Sequence, residues 1–157
     1  CQSMISDDLE GAMSITVSKN MKRFNHLIGE IGAAYHMASL KLGVSDSVMQ
    51  ILYTIYDVGE SCLLTDICRL TGMTKQTVNS AIRNMEKDGT VCLIPVNSKS
   101  KKVALTAKGI LLASQTVAKL VKAENAILDA WSEEDVARYL MLTKRYLDAL
   151  NEKVEGL

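Results

Sequence analysis

The chain has 157 residues, of which 48% are hydrophobic, enough for one domain or for two small lobes that share a core. Its 18 basic and 18 acidic residues give a formal net charge of zero, which hides any local imbalance. No apolar run approaches the roughly 18 residues that a membrane-spanning helix requires. These features exclude an integral membrane protein, and we expect a cytoplasmic one.

No group of residues indicates catalysis or a cofactor. A nucleophile, a base and an orienting acid do not stand at a recognisable spacing, and there is no glycine-rich phosphate loop. His26 and Glu30 lie one helical turn apart, but this pair alone makes a poor metal site, so we predict no metal. The four cysteines are Cys1, Cys62, Cys68 and Cys92. Because they form no CxxC pair, we expect reduced, buried thiols, and redox regulation stays an open alternative.

Two helices are predicted after an N-terminal arm of residues 1–17. The first begins at Ser18 and ends at Gly43, and its apolar residues recur every three or four positions as a heptad-like stripe. The stripe comprises Met21, Phe24, Ile28, Ile31, Tyr35, Ala38 and Leu42. Ser45 caps the second helix and Gly59 closes it. The inner face of the second helix comprises Val48, Ile51, Leu52, Ile55 and Val58.

A short third helix is predicted over residues 66–71. Thr65 is its expected N-cap, and Ile67 and Leu70 are its inward-facing residues. Gly72 then makes a turn into the next helix. The pattern is typical of the first half of a helix-turn-helix.

The fourth helix is predicted over residues 75–88, with Thr74 as its cap and Gly89 as its end. One side is apolar and comprises Val78, Ala81, Ile82 and Met85. The other sides carry hydrogen-bonding groups and little acid, as contact with base edges requires. These polar residues are Gln76, Thr77, Ser80, Arg83 and Asn84.

A β-hairpin is predicted next. Residues 90–94 are rich in β-branched side chains and are followed by Pro95, and residues 102–105 form the returning strand. Residues 96–101 between them form a polar, basic tip. The hairpin therefore follows the helix-turn-helix as a wing.

Two long helices complete the prediction. Thr106 caps a fifth helix that runs to about Asp129, and Ser132 begins a last helix whose first turn is acidic, which complements the helix dipole. The last helix repeats the apolar stripe with Val136, Leu140, Thr143, Leu147, Leu150 and Val154.

Charge is distributed unevenly along the chain. Residues 73–108 contain seven basic and two acidic side chains, so this segment carries about +5 and the remainder about −5. No acidic residue occurs between Pro95 and Ala123. A local positive field beside a helix that fits a DNA groove indicates binding to a phosphate backbone.

The predicted fold is mainly α with a small β-hairpin wing: a winged helix-turn-helix plus a helical dimerisation lobe formed by the N- and C-terminal helices. Residues 45–106 form the DNA-binding lobe, and residues 18–44 and 107–157 form the dimerisation lobe. The two stripes leave more apolar surface than the central unit can cover, which favours a homodimer. Its predicted interface includes Met21, Phe24, Ile28, Leu140, Leu147 and Leu150.

Three segments together are similar to a known family. They are Thr65-Asp-Ile-Cys-Arg-Leu-Thr-Gly-Met-Thr-Lys-Gln-Thr-Val-Asn79, Glu86-Lys-Asp-Gly89 and Leu105-Thr-Ala-Lys-Gly109. With the order of elements over nearly the whole chain, they resemble the MarR (multiple antibiotic resistance regulator) family. The resemblance implies a bacterial homodimeric transcription factor, most often a repressor whose DNA affinity a small-molecule effector lowers.

The resemblance also implies how DNA is bound. The fourth helix would enter the major groove and the wing a neighbouring minor groove, on a pseudo-palindromic operator with half-sites about 34–36 Å apart. The groove-facing candidates on the helix are Lys75, Gln76, Thr77, Asn79, Ser80 and Arg83. Backbone N–H groups at Thr65 and Thr74 would face phosphates. The wing candidates are Lys99, Lys101 and Lys102.

The wing departs from the family's common pattern. Asn97 and Lys99 stand where an Asp and an Arg are usual, so the pairing that stiffens the wing is missing. Lysine neutralises phosphate but lacks the planar fork of arginine, so we expect weaker minor-groove discrimination.

An effector crevice between the two lobes is a further implication of the resemblance. Its candidate lining residues are Tyr35, Met49, Tyr53 and Tyr56, each of which ordinary packing would equally explain. A different class of function also stays open, because winged helices serve as protein-interaction adaptors and the fold alone does not settle the matter. Steep salt dependence of DNA binding would distinguish a regulator from an adaptor.

Overall fold

The computed structural model describes residues 14–59 and 61–157. Cys1 and most of the predicted arm lie outside the described residues. The chain divides into two compact units, one ending at Asp46 and the other spanning Ser47–Leu157. Within the described part of the chain, no helix is both long and apolar enough to cross a membrane.

The first unit contains helix α1 (Lys19–Leu42). The helix ends as predicted at Gly43, which lies in the left-handed region at φ 76°, and the Ser18 hydroxyl caps its start by accepting a 3.2 Å hydrogen bond from the Met21 N–H. Most of the apolar stripe is solvent-exposed in the isolated chain. His36 Nδ1, on this helix, lies 2.7 Å from Oδ2 of Asp46 beyond its end, and this hydrogen bond holds the pKa of Asp46 below its ordinary value.

The second unit begins with α2 (Asp46–Val58), whose first residue closes the first unit. Helices α3 (Leu64–Thr71) and α4 (Lys75–Lys87) follow, joined by a turn at Gly72 with φ 70°. The core of this unit is formed by apolar residues of these helices and of the sheet. Its fully buried members include Ile51, Leu52, Ile55, Ile67, Val78, Ile82, Met85, Val103 and Val117.

A three-stranded antiparallel sheet stands where a two-stranded hairpin was predicted. The predicted strands are β2 (Val91–Pro95), displaced by one residue from expectation, and β3 (Lys101–Leu105), which begins one residue earlier than expected. A third strand, β1 (Ser61–Leu63), pairs with β3 in the order β1-β3-β2. Its three residues are too few to produce an alternating pattern, and only pairing with a distant strand makes them extended.

The third helix differs from its prediction. Thr65 is not its cap but its second residue, because β1 runs directly into the helix and Leu63 occupies the cap position without a side-chain bond. Leu70 is half-exposed, and Ile67 alone is buried from this helix. Val58, assigned to the inner face of α2, is likewise exposed because it is the last residue of that helix.

The predicted fifth helix is two helices, α5 (Ala107–Gln115) and α6 (Val117–Asp129). Thr116 separates them with φ −123° and ψ −87°, outside the helical region. This buried residue donates from its hydroxyl to the Leu112 carbonyl at 2.7 Å. The apolar period of residues 107–129 did not reveal this break.

The last helix, α7 (Glu133–Glu155), begins as predicted, with the Ser132 hydroxyl accepting from the Asp135 N–H at 3.1 Å. None of its 23 residues is buried. In water a helix is stabilised chiefly by packing of its apolar face, so this exposed stripe indicates a missing partner surface.

The segment that joins α4 to the sheet is tied to the start of α5, and we call it the α4–α5 junction (residues 88–90 with residues 106–109). The Thr106 N–H donates to the Thr90 carbonyl at 3.0 Å, and the Thr106 hydroxyl donates to the Gly89 carbonyl at 2.6 Å. A Cβ on Gly109 would lie 1.9 Å from the Thr90 carbonyl oxygen. Only glycine permits this approach.

We therefore predict that Gly109→Ala destabilises the protein by about 1–3 kcal/mol or more, because the added methyl overlaps backbone that cannot move freely. Thermal unfolding followed by circular dichroism measures the effect. Gly32→Ala is the matched control, since its added methyl meets nothing within 4 Å in a helix where alanine is preferred. Equal melting temperatures for Gly109→Ala and the parent would contradict the tight junction.

Candidate nucleic-acid interface

The exposed face of α4 presents a continuous polar surface. Five of its side chains line one open depression of about 440 Å³: Lys75, Gln76, Asn79, Ser80 and Arg83. The opposite face of α4 is buried, and the four apolar residues predicted for it are all in the core. Burial of that face fixes which side chains point outward, and these five share one surface.

The N-terminus of α4 is capped by threonine. The Thr74 hydroxyl accepts from the Thr77 N–H at 3.2 Å and donates to the Thr77 hydroxyl at 2.9 Å. Both hydroxyls are thus engaged within the cap, and Thr77 does not line the depression. The arrangement leaves backbone N–H groups at the helix start directed outward, as at other helix N-termini.

A second depression of about 430 Å³ separates α4 from the wing, and we call it the α4–wing cleft. The α4–wing cleft and the first depression share three lining residues, which form the ridge between them: Lys75, Asn79 and Arg83. The wing contributes Lys99 and Lys101. The cleft is therefore bordered by four cations, which would raise the local concentration of an anion.

Two further cleft residues come from α3 and from the end of α4. Thr65 lies in the first turn of α3, so its N–H has no carbonyl partner within the helix. Contact of this N–H with a phosphate stays a prediction. Among the described residues that line the cleft, Glu86 alone is acidic, and it was not predicted as a site residue. Its carboxylate opposes the field of the four cations.

Neighbouring lysines of β3 point to opposite faces of the sheet, because side chains alternate along a strand. Lys101 is paired with Pro95 and lines the α4–wing cleft. Lys102 is paired with Ile94 on one side and with Leu63 on the other, and it does not line the cleft. The two lysines, grouped together from sequence, therefore differ in their geometry.

The wing tip is closed by a local hydrogen-bond pattern. The Asn97 side-chain oxygen accepts from the Lys99 N–H at 2.8 Å, and the Val96 N–H donates to the Ser100 carbonyl at 2.9 Å. Asn side chains commonly stabilise turns through a bond to the backbone two residues ahead. The bond from Asn97 therefore holds the wing tip in a turn, although the usual Asp–Arg pair is missing.

A shallow depression of about 420 Å³ lies between α2 and α6. Tyr56 lines it with Lys122, Asn125 and Asp129 among others. Of the other residues predicted for an effector crevice, Met49 is buried in the core, Tyr53 is half-buried and Tyr35 belongs to the first unit. Neither Met49 nor Tyr53 lines this depression.

Residues suited to metal binding or thiol chemistry are not assembled into a site. In the described ranges, no three His, Cys, Asp or Glu side chains are grouped so as to hold a metal ion. Burial, with a smaller contribution from Asp66, raises the pKa of the Cys62 thiol, against the opposing effect of Arg69. Cys92 is exposed on β2, while Cys68 is half-buried.

Residues 42–93 match the sequence profile of the MarR family. This segment contains α2, β1, the helix-turn-helix and most of β2. No curated protein sequence is significantly similar to the chain.

Solved structures share the fold over most of the chain. The MarR family regulator NMB1585 from Neisseria meningitidis has a TM-score of 0.79 at 13% identity, with 88% of this chain and 99% of that chain covered. The complex of S. aureus MepR with DNA has a TM-score of 0.67 at 18% identity, covering 86% and 99%. PcaV from Streptomyces coelicolor, in complex with its natural ligand, has a TM-score of 0.65 at 12% identity, covering 87% and 99%. At these identities the likeness establishes the fold.

We predict that iodoacetamide labels Cys92 in the native protein at neutral pH and leaves Cys62 unlabelled, because the Cys62 thiol is buried and stays protonated. Peptide mass mapping before and after unfolding in urea measures the labelling of each cysteine. Labelling of Cys62 as fast as Cys92 in the native state would show that the core of the second unit opens readily.

Proposed function

We propose that this chain is a regulator of the MarR family, which controls transcription by binding double-stranded DNA sequence-specifically as a homodimer. The observation that carries the proposal is the polar face of α4, bordered by the four cations of the α4–wing cleft. A rigid helix of this kind fits the major groove, and the cations suit the phosphates beside it.

Side chains on the exposed face of α4 match the chemistry of base edges. Arg83 can form a bidentate pair with O6 and N7 of guanine, and Gln76 and Asn79 can pair with N6 and N7 of adenine. Ser80 can donate to or accept from either base. The structural neighbour MepR, which was crystallised with DNA, lends support to this placement.

The wing supplies electrostatic attraction in this proposal. Lys99 and Lys101 act as point charges on phosphate, and neither has the guanidinium fork that favours a narrow minor groove. Sequence preference should therefore come from α4, and salt dependence largely from the wing.

Dimerisation is supported by the exposed apolar stripes of α1 and α7. Leu140, Leu147 and Leu150 of α7 are each about half-exposed, although a helix with so apolar a face is ordinarily covered. On α1, Phe24 and Ile28 are exposed and Met21 is half-buried. A second copy of the chain, contributing the same stripes, would cover them and place two α4 helices on neighbouring half-sites.

An effector would lower DNA affinity by favouring a dimer whose α4 helices are misplaced, which shifts the population away from the binding form. The depression beside Tyr56 is suited to a small amphipathic acid, because it combines an aromatic ring with the Lys122 ammonium. The neighbour PcaV was crystallised with its natural ligand, and NadR with 4-hydroxyphenylacetate. These neighbours support a ligand-responsive repressor as the form of regulation.

Fluorescence anisotropy tests the proposal directly. The purified protein is titrated into DNA from upstream of its own gene and into a scrambled duplex, across a series of salt concentrations. Salt-sensitive binding that prefers the native sequence supports a specific regulator. Binding that is equally weak for both duplexes, and flat with salt, would favour a protein-interaction adaptor.

We predict that Arg83→Ala weakens binding to the preferred duplex by about 1–3 kcal/mol and narrows its advantage over scrambled DNA, because a base contact is lost. Lys101→Ala should weaken both duplexes alike and reduce the salt slope by about 1, because a phosphate contact is lost. Lys102→Ala is the matched control for Lys101 and should change the slope less. Equal losses on both duplexes for Arg83→Ala and Lys101→Ala would contradict α4 as the source of specificity.

We predict that Leu147→Glu dissociates the dimer, raising its dissociation constant by about 30-fold or more, because a charge replaces a central apolar contact. Light scattering during size-exclusion chromatography measures the mass. Met141→Glu is the control, because Met141 is similarly exposed on α7 but lies on a different face of the helix. The interface assignment fails if Leu147→Glu stays dimeric or if both variants dissociate equally.

A further inference from the structure

We infer that Lys108 is a positioning residue that holds the C-terminal end of α4, and not one of the DNA-contacting cations. The inference rests on the proposed function for its consequence in DNA binding. Lys108 belongs to the basic segment of residues 73–108, and charge alone does not distinguish it from Lys99 or Lys101.

The contact that carries the inference joins a side chain to the backbone. Lys108 Nζ donates to the Asp88 carbonyl oxygen at 2.6 Å. Asp88 is the C-cap of α4, where carbonyls lack a partner within the helix. A lysine ammonium is favourable there because it satisfies a carbonyl and complements the negative end of the helix dipole.

Lys108 completes a run of three occupied carbonyls in the α4–α5 junction. The carbonyl of Asp88 accepts from Lys108, that of Gly89 from the Thr106 hydroxyl, and that of Thr90 from the Thr106 N–H. All three donors come from the first residues of α5 and its cap. The end of α4 is therefore fixed against α5 by consecutive bonds, of which the Lys108 bond is the charged one and the nearest to α4.

Removal of this bond should loosen the direction of α4 without unfolding the protein. Lys108 and Asp88 are both exposed, so water can replace the ammonium at the Asp88 carbonyl. The two bonds of Thr106 and the close packing of Gly109 remain. A positioning role predicts that the geometry of α4 changes while the number of phosphate contacts does not.

The test compares Lys108→Met with Lys108→Arg and with Lys87→Met. Lys87 is the matched control. It is an exposed lysine at the end of α4, and its side chain makes no hydrogen bond or ion pair to other described residues. Anisotropy against the preferred duplex across a salt series gives affinity and slope, and thermal unfolding gives stability. Lys108→Met should bind about fivefold more weakly with an unchanged salt slope, as loss of one hydrogen bond allows. Lys108→Arg should restore most of the affinity, since arginine also donates to the carbonyl.

Two results would overturn the inference. A salt slope that falls by about 1 for Lys108→Met would show that Lys108 contacts phosphate. Unchanged affinity for Lys108→Met would show that the bond does not position α4 for DNA.

Amide hydrogen exchange in the free protein separates failure of the inference from failure of the proposed function. Lys108→Met should speed exchange at Gly89 and Thr90, whose N–H groups bond to α4 carbonyls at 2.9 Å, relative to Lys87→Met. If the parent protein shows no specific DNA binding, the proposed function fails while this exchange result still decides the role of Lys108. Unchanged exchange in Lys108→Met would overturn the inference.

Discussion

The α4–α5 junction is the constraint on which the presentation of the whole polar surface depends. It lies where three elements meet, because α4 ends just before it, β2 starts at its exit, and β3 leads into Thr106. One threonine bonds two successive carbonyls, and Gly109 lets the two backbones approach closely. Both α4 and the wing are therefore anchored at one point. A shift there would move both sides of the α4–wing cleft together.

Charge separation makes this geometry suited to binding an anion. The chain is neutral overall, yet one segment of it is cationic, and four of its cations border the α4–wing cleft. Placement distinguishes cations that the sequence made equivalent. Lys101 lines the cleft, Lys102 occupies the other face of the sheet, and Lys108 is bonded to the end of α4. Glu86 moderates the field at the same site, so the cleft is less cationic than its lysines alone suggest.

Features set by local chemistry were predictable from sequence. The buried face of α4 follows from its helical period, and the caps at Ser18, Thr74, Thr106 and Ser132 follow from hydroxyl groups at helix starts. Features set by distant partners were not. Strand β1 exists because β3 lies beside it, and Thr65 falls inside α3 for that reason. The break at Thr116, a buried residue with non-helical dihedrals, is not apparent from the apolar period of the segment. The different placements of Lys101, Lys102 and Lys108 also depend on distant partners and could not be predicted from the sequence.

The central claim is that two α4 helices occupy adjacent major grooves of one operator. Hydroxyl-radical footprinting of the protein on its preferred duplex tests this most directly. Two protected blocks of similar strength are expected, centred about 10–10.5 base pairs apart and related by two-fold symmetry. A single protected block, or uniform protection along the duplex without symmetry, would contradict it.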